Sequence, residues 1–311
     1  MNPLEQRYSE ALAEWQQLED SDCPVFFVGA ATCGRAAGAA DVLQSLEEEI
    51  TRRDIAARVV EVGCLGPCFL EPLVIVHKPG LPRVCYGNVG GEEIKTIFNN
   101  YVLGNDPCTQ WALGKMGPGS VDGIADLDAH PVFRRQVRRI LRNCGIIDPE
   151  NLNHYLAREG YRGFLRALEL GPEKTLEEVK NSGLRGRGGA GFPTFKKWEF
   201  CRSVQSDTRY LICNADEGDP GAFMNRSLLE GDPHAVLEGM LIAGFAMGST
   251  HGYVYCRAEY PLAIRRLETA IAQMRELGLL GENILGSGHS FDISIKKGAG
   301  AFVCGEETAL I

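Results

Sequence analysis

An α/β protein of two domains is predicted by three observations. Residues 1–103 alternate between short apolar runs and amphipathic stretches. A Pro/Gly-rich segment follows. Beyond it, apolar runs and helical stretches alternate again to the end of the chain. In the first part the periodicity gives helix over 3–18, strand over 24–29, helix over 36–52, strands over 57–62, 72–77 and 82–86, and a closing helix over 92–102. This β-α-β-β-β-α order is close to a thioredoxin-like layout. The segment 105–128 holds Pro107, Gly114, Gly117, Pro118 and Gly119 and is predicted to be a linker. The second part is expected over 129–311. It opens with a basic helix over 130–142 and another helix over 148–170. Later helices start at Pro233, capped by Asp232, and at Pro261.

Composition excludes several classes. The 311 residues carry a net charge of −9, which argues against nucleic acid as a partner. No apolar run approaches the ~20 residues of a membrane span, so direct membrane insertion is not expected. The N-terminus lacks the parts of a signal peptide. Eleven cysteines in such a chain point to a reducing, cytoplasmic setting in which thiols serve metals. The chain stops at Ile311 in what reads as a helix just begun, so a C-terminally truncated sequence is expected.

Three segments of the second part carry chemistry. Leu184-Arg185-Gly186-Arg187-Gly188-Gly189-Ala190-Gly191-Phe192-Pro193-Thr194 brings glycines that admit a ligand against the backbone, and arginines suited to phosphate. Gly186, Gly188 and Gly191 satisfy G-x-G-x-x-G, but the preceding residues 173–184 read as helix rather than strand, unlike a Rossmann turn. An apolar strand from Tyr210 to Cys213 runs into Asn214 and the three carboxylates Asp216, Glu217 and Asp219, acceptors that suit the hydroxyls and ring edge of a flavin nucleotide. A glycine-rich turn at 298–305 leads into Glu306, Glu307 and Thr308.

In the first part, Cys33 follows the first strand, and Cys64 and Cys68 form a C-x-x-x-C pair. Loop cysteines among glycine and proline are the pattern of iron–sulfur ligation. Cys85, on a strand, reads as a buried thiol. Cys23, Cys108, Cys144, Cys201, Cys213 and Cys256 read as packing residues, and none of the six histidines has metal-ligand spacing.

With these motifs in this order, residues from about 148 onward resemble the flavin-bearing, NADH-oxidising subunit of complex I and the related flavin subunits of NAD(P)-linked hydrogenases and NAD-dependent formate dehydrogenases. Asp219, where complex I members usually carry Glu, is more like the hydrogenase type. The first part resembles the thioredoxin-like [2Fe–2S] domain of the same enzymes. The resemblance implies hydride transfer from NADH to FMN, followed by electrons leaving singly through iron–sulfur clusters.

It also implies residue roles. Gly186, Arg187, Gly188 and Gly189 line FMN, and Lys197 supplies charge to it. Asn214, Asp216 and Glu217 hold its polar edge. Phe192 and Phe200 stack on the NADH bases, Asp219 meets the nicotinamide side, and Gly305, Glu306 and Glu307 border both cofactors. No residue acts as general acid or base. Cys33, Cys64 and Cys68 supply three of the four ligands of a [2Fe–2S] cluster. The second cysteine of the family pattern, after four intervening residues, is Gly38 here. Two readings of the first part stand side by side, a cluster-binding domain and a docking module that has kept the loop. A [4Fe–4S] cluster belongs to a region of the family absent from this sequence. The implied partners are other iron–sulfur subunits of a multisubunit redox complex, including a small thioredoxin-like [2Fe–2S] subunit. The alternative to an enzyme is a non-catalytic docking or assembly subunit of such a complex.

Overall fold

A computed structural model describes residues 3–219 and 221–300. The chain divides into two compact units. The first is Glu10–His154 with Glu230–Asp232. The second comprises the residues up to Ser9, Tyr155–Leu229 and the residues from Pro233 onward.

The first unit is built on β1 (Val25–Gly29), whose five residues are all buried. Both faces of such a strand must be covered, which is why it reads as a continuous apolar run. It pairs in parallel with β2 (Arg58–Val62) and antiparallel with β3 (Val74–His77). The sheet continues through β4 (Arg83–Tyr86) and β5 (Ala112–Met116) to give the order β2-β1-β3-β4-β5. Helix α1 (Pro3–Glu19) precedes the sheet. Helices α2 (Thr32–Ala37) and α3 (Ala39–Arg53) connect β1 to β2, and α4 (Gly91–Ile97) follows β4. Alternate residues of β1 feed two cores. Phe26 and Val28 pack with Val42, Leu46, Ile94 and Phe98. Val25 and Phe27 pack with Leu18, Leu73, Ile75 and Cys85. The thioredoxin-like order of elements is therefore present.

Four expectations are corrected here. The helix expected over 36–52 is two helices broken at Gly38, whose φ of 108° is left-handed. The linker expected over 105–128 carries β5 (Ala112–Met116), antiparallel to β4 as the sheet's edge strand. The basic helix expected over 130–142 is a series of turns. There the Arg138 guanidinium donates to the carbonyls of Leu65, Leu141 and Cys144 at 2.7–2.9 Å. Tertiary bonds to backbone carbonyls override a helical pattern of modest propensity. The stretch 148–170 forms two short helices, α5 (Leu152–Ala157) and α6 (Arg162–Leu170).

The second unit continues with α7 (Pro172–Asn181), α8 (Thr194–Ser203), β6 (Tyr210–Ala215), α9 (Met224–Gly231), α10 (Pro233–Met247), β7 (His251–Arg257), α11 (Pro261–Glu276) and β8 (Asp292–Gly298). The strands form a parallel sheet in the order β6-β7-β8, with Ala215 opposite Cys256 and Arg257 opposite Gly298. The helices between strands are the crossovers that parallel pairing requires. Helix α10 is apolar on most of its circumference and largely buried. Two of its polar side chains anchor it. Glu238 accepts hydrogen bonds from the amides of Tyr161 (2.8 Å) and Phe164 (3.1 Å) and from the Tyr155 hydroxyl, closing the N-terminus of α6. His234 is 1% exposed, with Nδ1 2.7 Å from the Tyr161 hydroxyl and Nε2 2.9 Å from Gln273 Oε1.

Burial pulls the pKa of His234 from 6.5 down to about 4. The folded form keeps the ring neutral, whereas the unfolded chain takes up a proton below its ordinary pKa. The group thus costs nothing near neutrality and destabilises progressively as pH falls from 6.5 toward 4, by about 3 kcal/mol at most. Thermal denaturation across this window should show a falling midpoint that His234→Gln flattens. An unchanged pH slope in the variant would mean that His234 takes up its proton equally in the folded and unfolded chain.

Candidate functional site

The glycine-rich segment connects α7 to α8, so a helix precedes it and another follows. Its two ends close on each other. The Gly186 amide donates to the Phe192 carbonyl (2.9 Å), the Thr194 amide to the Leu184 carbonyl (3.0 Å), and Arg185 Nε to the Gly191 carbonyl (2.5 Å). Between these ties, residues 187–190 are exposed. Gly189 has φ 108°, a conformation that excludes most side chains. A Cβ built on Gly188 or Gly189 meets no atom within 4 Å. The loop is thus held in shape at its base, with an open face at its tip beside the start of α8. A helix start favours negative charge, and Lys197 lies in this helix. Phe192 is 40% exposed and Phe200, also on α8, is 57% exposed. Large aromatic surfaces left in water suit planar ligands.

The carboxylates stand at the C-terminal end of β6, the edge at which open parallel sheets bind ligands. Asn214 is exposed, and its Oδ1 accepts the Asp216 amide at 3.0 Å. Asp216 Oδ2 is buried and has no hydrogen-bond partner among the described residues. A buried acceptor without a donor costs about 1–3 kcal/mol and is a place for a ligand N–H or O–H. Asp219 is exposed.

Glu217 differs from expectation. It is 7% exposed, its two oxygens accept the amides of Asn225 (2.9 Å) and Arg226 (3.1 Å), and the Tyr260 hydroxyl lies 3.2 Å away. Its carboxylate therefore caps the start of α9 instead of presenting a free edge to a ligand. Arg257, which the sequence pattern did not single out, ends β7 at the same sheet edge and donates to the Glu217 carbonyl and to Glu259. An arginine directly after an apolar strand that runs parallel to β6 was the available signal. Gly305, Glu306 and Glu307 lie outside the described residues.

In the first unit the structure brings the three predicted cysteines together. The sulfurs of Cys33, Cys64 and Cys68 all lie within 4.8 Å of one another, with Cys64 and Cys68 3.7 Å apart. Two thiolates on one tetrahedral metal stand about 3.8 Å apart, for metal–sulfur bonds of about 2.3 Å. Hydrogen bonds from the Cys64 thiol, then from Cys68, hold the Cys33 thiol down at about 6, despite its burial. Cys64 is pushed up by its bond to Cys33 and by burial, and Cys68 by burial. Metal binding to such a site displaces the protons that the thiols still carry. Cys85 is fully buried in the core, as its packing role requires. Gly38 ends α2 in the left-handed conformation, its amide donating to the Arg35 carbonyl at 3.3 Å. A cysteine there would strain the backbone by about 1–2 kcal/mol. Glu71, 6% exposed, places Oε1 3.7 Å from Cys33 Sγ. Burial, and then the neighbouring Cys33 thiolate, push the Glu71 carboxyl up to about 7.

Among the described residues no helix is long and apolar enough to cross a membrane. The Nuo51 FMN-binding domain family matches residues 179–311. The chain is 60% identical over 178 residues to the NADP-reducing hydrogenase subunit HndC of Solidesulfovibrio fructosivorans, covering 57% of this chain and 36% of that protein. It is 50% identical over 173 residues to an NADH-quinone oxidoreductase subunit of Rhizobium meliloti, covering 55% and 41%. The chain thus spans well under half the length of these relatives. A crystal structure of an NAD+-reducing [NiFe]-hydrogenase aligns with a TM-score of 0.47 at 24% identity, over 98% of this chain and 48% of that one. The glycine loop, the β6 carboxylates and the parallel sheet all lie in the stretch, residues 179–311, that is similar to the Nuo51 FMN-binding domain family.

Proposed function

We propose that this chain is the FMN-carrying, NADH-oxidising part of a multisubunit redox enzyme of the complex I or hydrogenase kind. The observation that carries the proposal is the pairing of an open, base-tied glycine loop with an orphaned buried acceptor, Asp216 Oδ2, within a family of FMN-binding domains. Bound FMN supplies the redox chemistry, accepting a hydride and releasing electrons singly.

The protein's part is to bind and orient. Gly186, Gly188 and Gly189 admit the cofactor to the backbone, Arg187 and Lys197 neutralise phosphate, and Asn214 and Asp216 receive hydroxyl and ring N–H donors. Phe192 and Phe200 offer aromatic faces to the nucleotide, and Asp219 serves the nicotinamide side. Glu217 acts through the α9 cap by fixing the strand end. Gly305, Glu306 and Glu307 keep the cofactor-bordering role that the family resemblance gives them. Such positioning is the main protein contribution to a cofactor-borne transfer.

In the first unit, Cys33, Cys64 and Cys68 hold a [2Fe–2S] cluster. Their convergence favours this over a docking module that has merely kept the loop. Partners are the iron–sulfur subunits that take the electrons, a small thioredoxin-like [2Fe–2S] subunit among them.

The test is flavin content. The purified protein, saturated with FMN and desalted, should retain one FMN per chain, identified after denaturation. No retention would overturn the proposal. Phe200→Ala should weaken NADH binding roughly 2- to 13-fold, the value of a ring contact beyond its area, and leave FMN affinity unchanged. Absorbance titrations of both ligands measure this. Equal losses for the two would make Phe200 a structural residue.

A further inference from the structure

We propose that Glu71 is the fourth protein ligand of the cysteine site, completing a Cys33, Cys64, Cys68 and Glu71 donor set. This rests on the cluster assignment above and extends it to the position that the family pattern leaves empty at Gly38.

The geometry places the carboxylate at the site. Residues Cys68–Leu70 form a single turn of 3-10 helix, after which the Glu71 amide donates to the Cys68 carbonyl at 3.3 Å. This turn points the Glu71 side chain back toward the cysteines. Oε2 is held by the Leu73 amide at 2.7 Å, while Oε1 stands 3.7 Å from Cys33 Sγ. A thiolate and a carboxylate oxygen on one tetrahedral centre stand about 3.5 Å apart, for bonds of about 2.3 and 2.0 Å. One oxygen is thus anchored to the fold and the other faces the thiols, as ligating carboxylates are held by outer hydrogen bonds.

The neighbouring residues make the room. A Cβ on Gly29 would stand 2.6 Å from Glu71 Oε2, and one on Gly34 would stand 3.2 Å from it. Gly34 is required in any case by the Gly29 carbonyl, 2.0 Å from its would-be Cβ, but Gly29 is closed first by the carboxylate itself. A buried carboxylate is costly unless it is paired or coordinates a metal. The cluster needs four protein donors and the thiols supply three. Carboxylate oxygens ligate zinc beside thiolates and ligate non-haem iron, so a carboxylate is an acceptable fourth ligand.

The experiment uses the full chain, reconstituted anaerobically with ferrous iron and sulfide. Iron and acid-labile sulfide are counted, and the reduced-state EPR and resonance Raman spectra are recorded for the wild type, Glu71→Gln and Glu71→Cys. Glu71→Gln keeps an acceptor for the Leu73 amide, so the local fold should survive, and circular dichroism checks it. The wild type should hold two irons and two sulfides. Glu71→Gln should lose iron to a chelator on the order of 10–100-fold faster. Glu71→Cys should keep the cluster and move both spectra to those of an all-cysteine site. A cluster with the same spectra and the same chelator rate in wild type and Glu71→Gln overturns the role of Glu71 and leaves the cluster assignment standing. A single zinc or iron bound without sulfide, and weakened by Glu71→Gln, keeps Glu71 as a ligand and overturns the cluster assignment. No metal uptake by the wild type overturns both.

Discussion

Gly188→Val is expected to abolish FMN retention while leaving the fold intact. Position 188 sits at the open tip of a loop whose base is tied by the bonds from Gly186 to Phe192 and from Thr194 to Leu184. No atom lies within 4 Å of a Cβ built there, so a valine meets nothing in the protein itself. What it does meet is the space that the cofactor's phosphate side needs, because a side chain holds the backbone off its ligand. Losing several backbone contacts to a charged group should cost at least ~3 kcal/mol, more than a hundredfold in affinity. Flavin content and circular dichroism of the purified variant check both halves. Normal flavin occupancy would remove this loop from the cofactor site, and a lost circular dichroism signal would show that the loop serves the fold.

The largest effect on stability is expected at Glu238. Helix α6 begins at Arg162, and the N-cap residue before it, Tyr161, is left-handed and supplies no side-chain cap. Its first amides are instead satisfied from α10, by the buried Glu238 carboxylate. Gly163 makes this approach possible, since a Cβ there would stand 2.8 Å from Glu238 Oε1. Glu238→Ala strands two buried amides and the Tyr155 hydroxyl, at about 1–3 kcal/mol for each group left unpaired. A loss of about 3–5 kcal/mol in denaturant unfolding is expected, with Glu238→Gln intermediate because it can still accept one bond. A loss below ~1 kcal/mol in Glu238→Ala would mean that water replaces the cap.

Strands β1 and β3 of the first unit were legible because they are continuous apolar runs that only burial on both faces explains. The helix preceding the glycine loop was legible too, and with it the departure from a Rossmann turn. Other features lie in tertiary contacts that periodicity does not carry. The short strand Ala112–Met116 has a glycine at its centre and lies among turn residues, so it reads as a connector until β4 offers it an edge. Residues 130–142 carry helical spacing, yet Arg138 is committed to three carbonyls of the surrounding chain.

The candidate sites divide in the same way. Cys33, Cys64 and Cys68 announce themselves by residue type, and the fold brings them together. Glu71 is invisible in sequence, an ordinary acid before a proline, until its oxygen is placed against Cys33. Glu217 shows the converse, since an acid in a conspicuous motif turns out to cap a helix.

NADH oxidation through bound FMN is tested most directly by adding NADH to the FMN-loaded protein without oxygen and following the flavin's visible absorption band. One equivalent of NADH per flavin should bleach the band, and the Gly188→Val protein, lacking flavin, should show no band to bleach. A protein that retains FMN at one per chain, yet keeps its full absorption in excess NADH and excess NADPH, would contradict it.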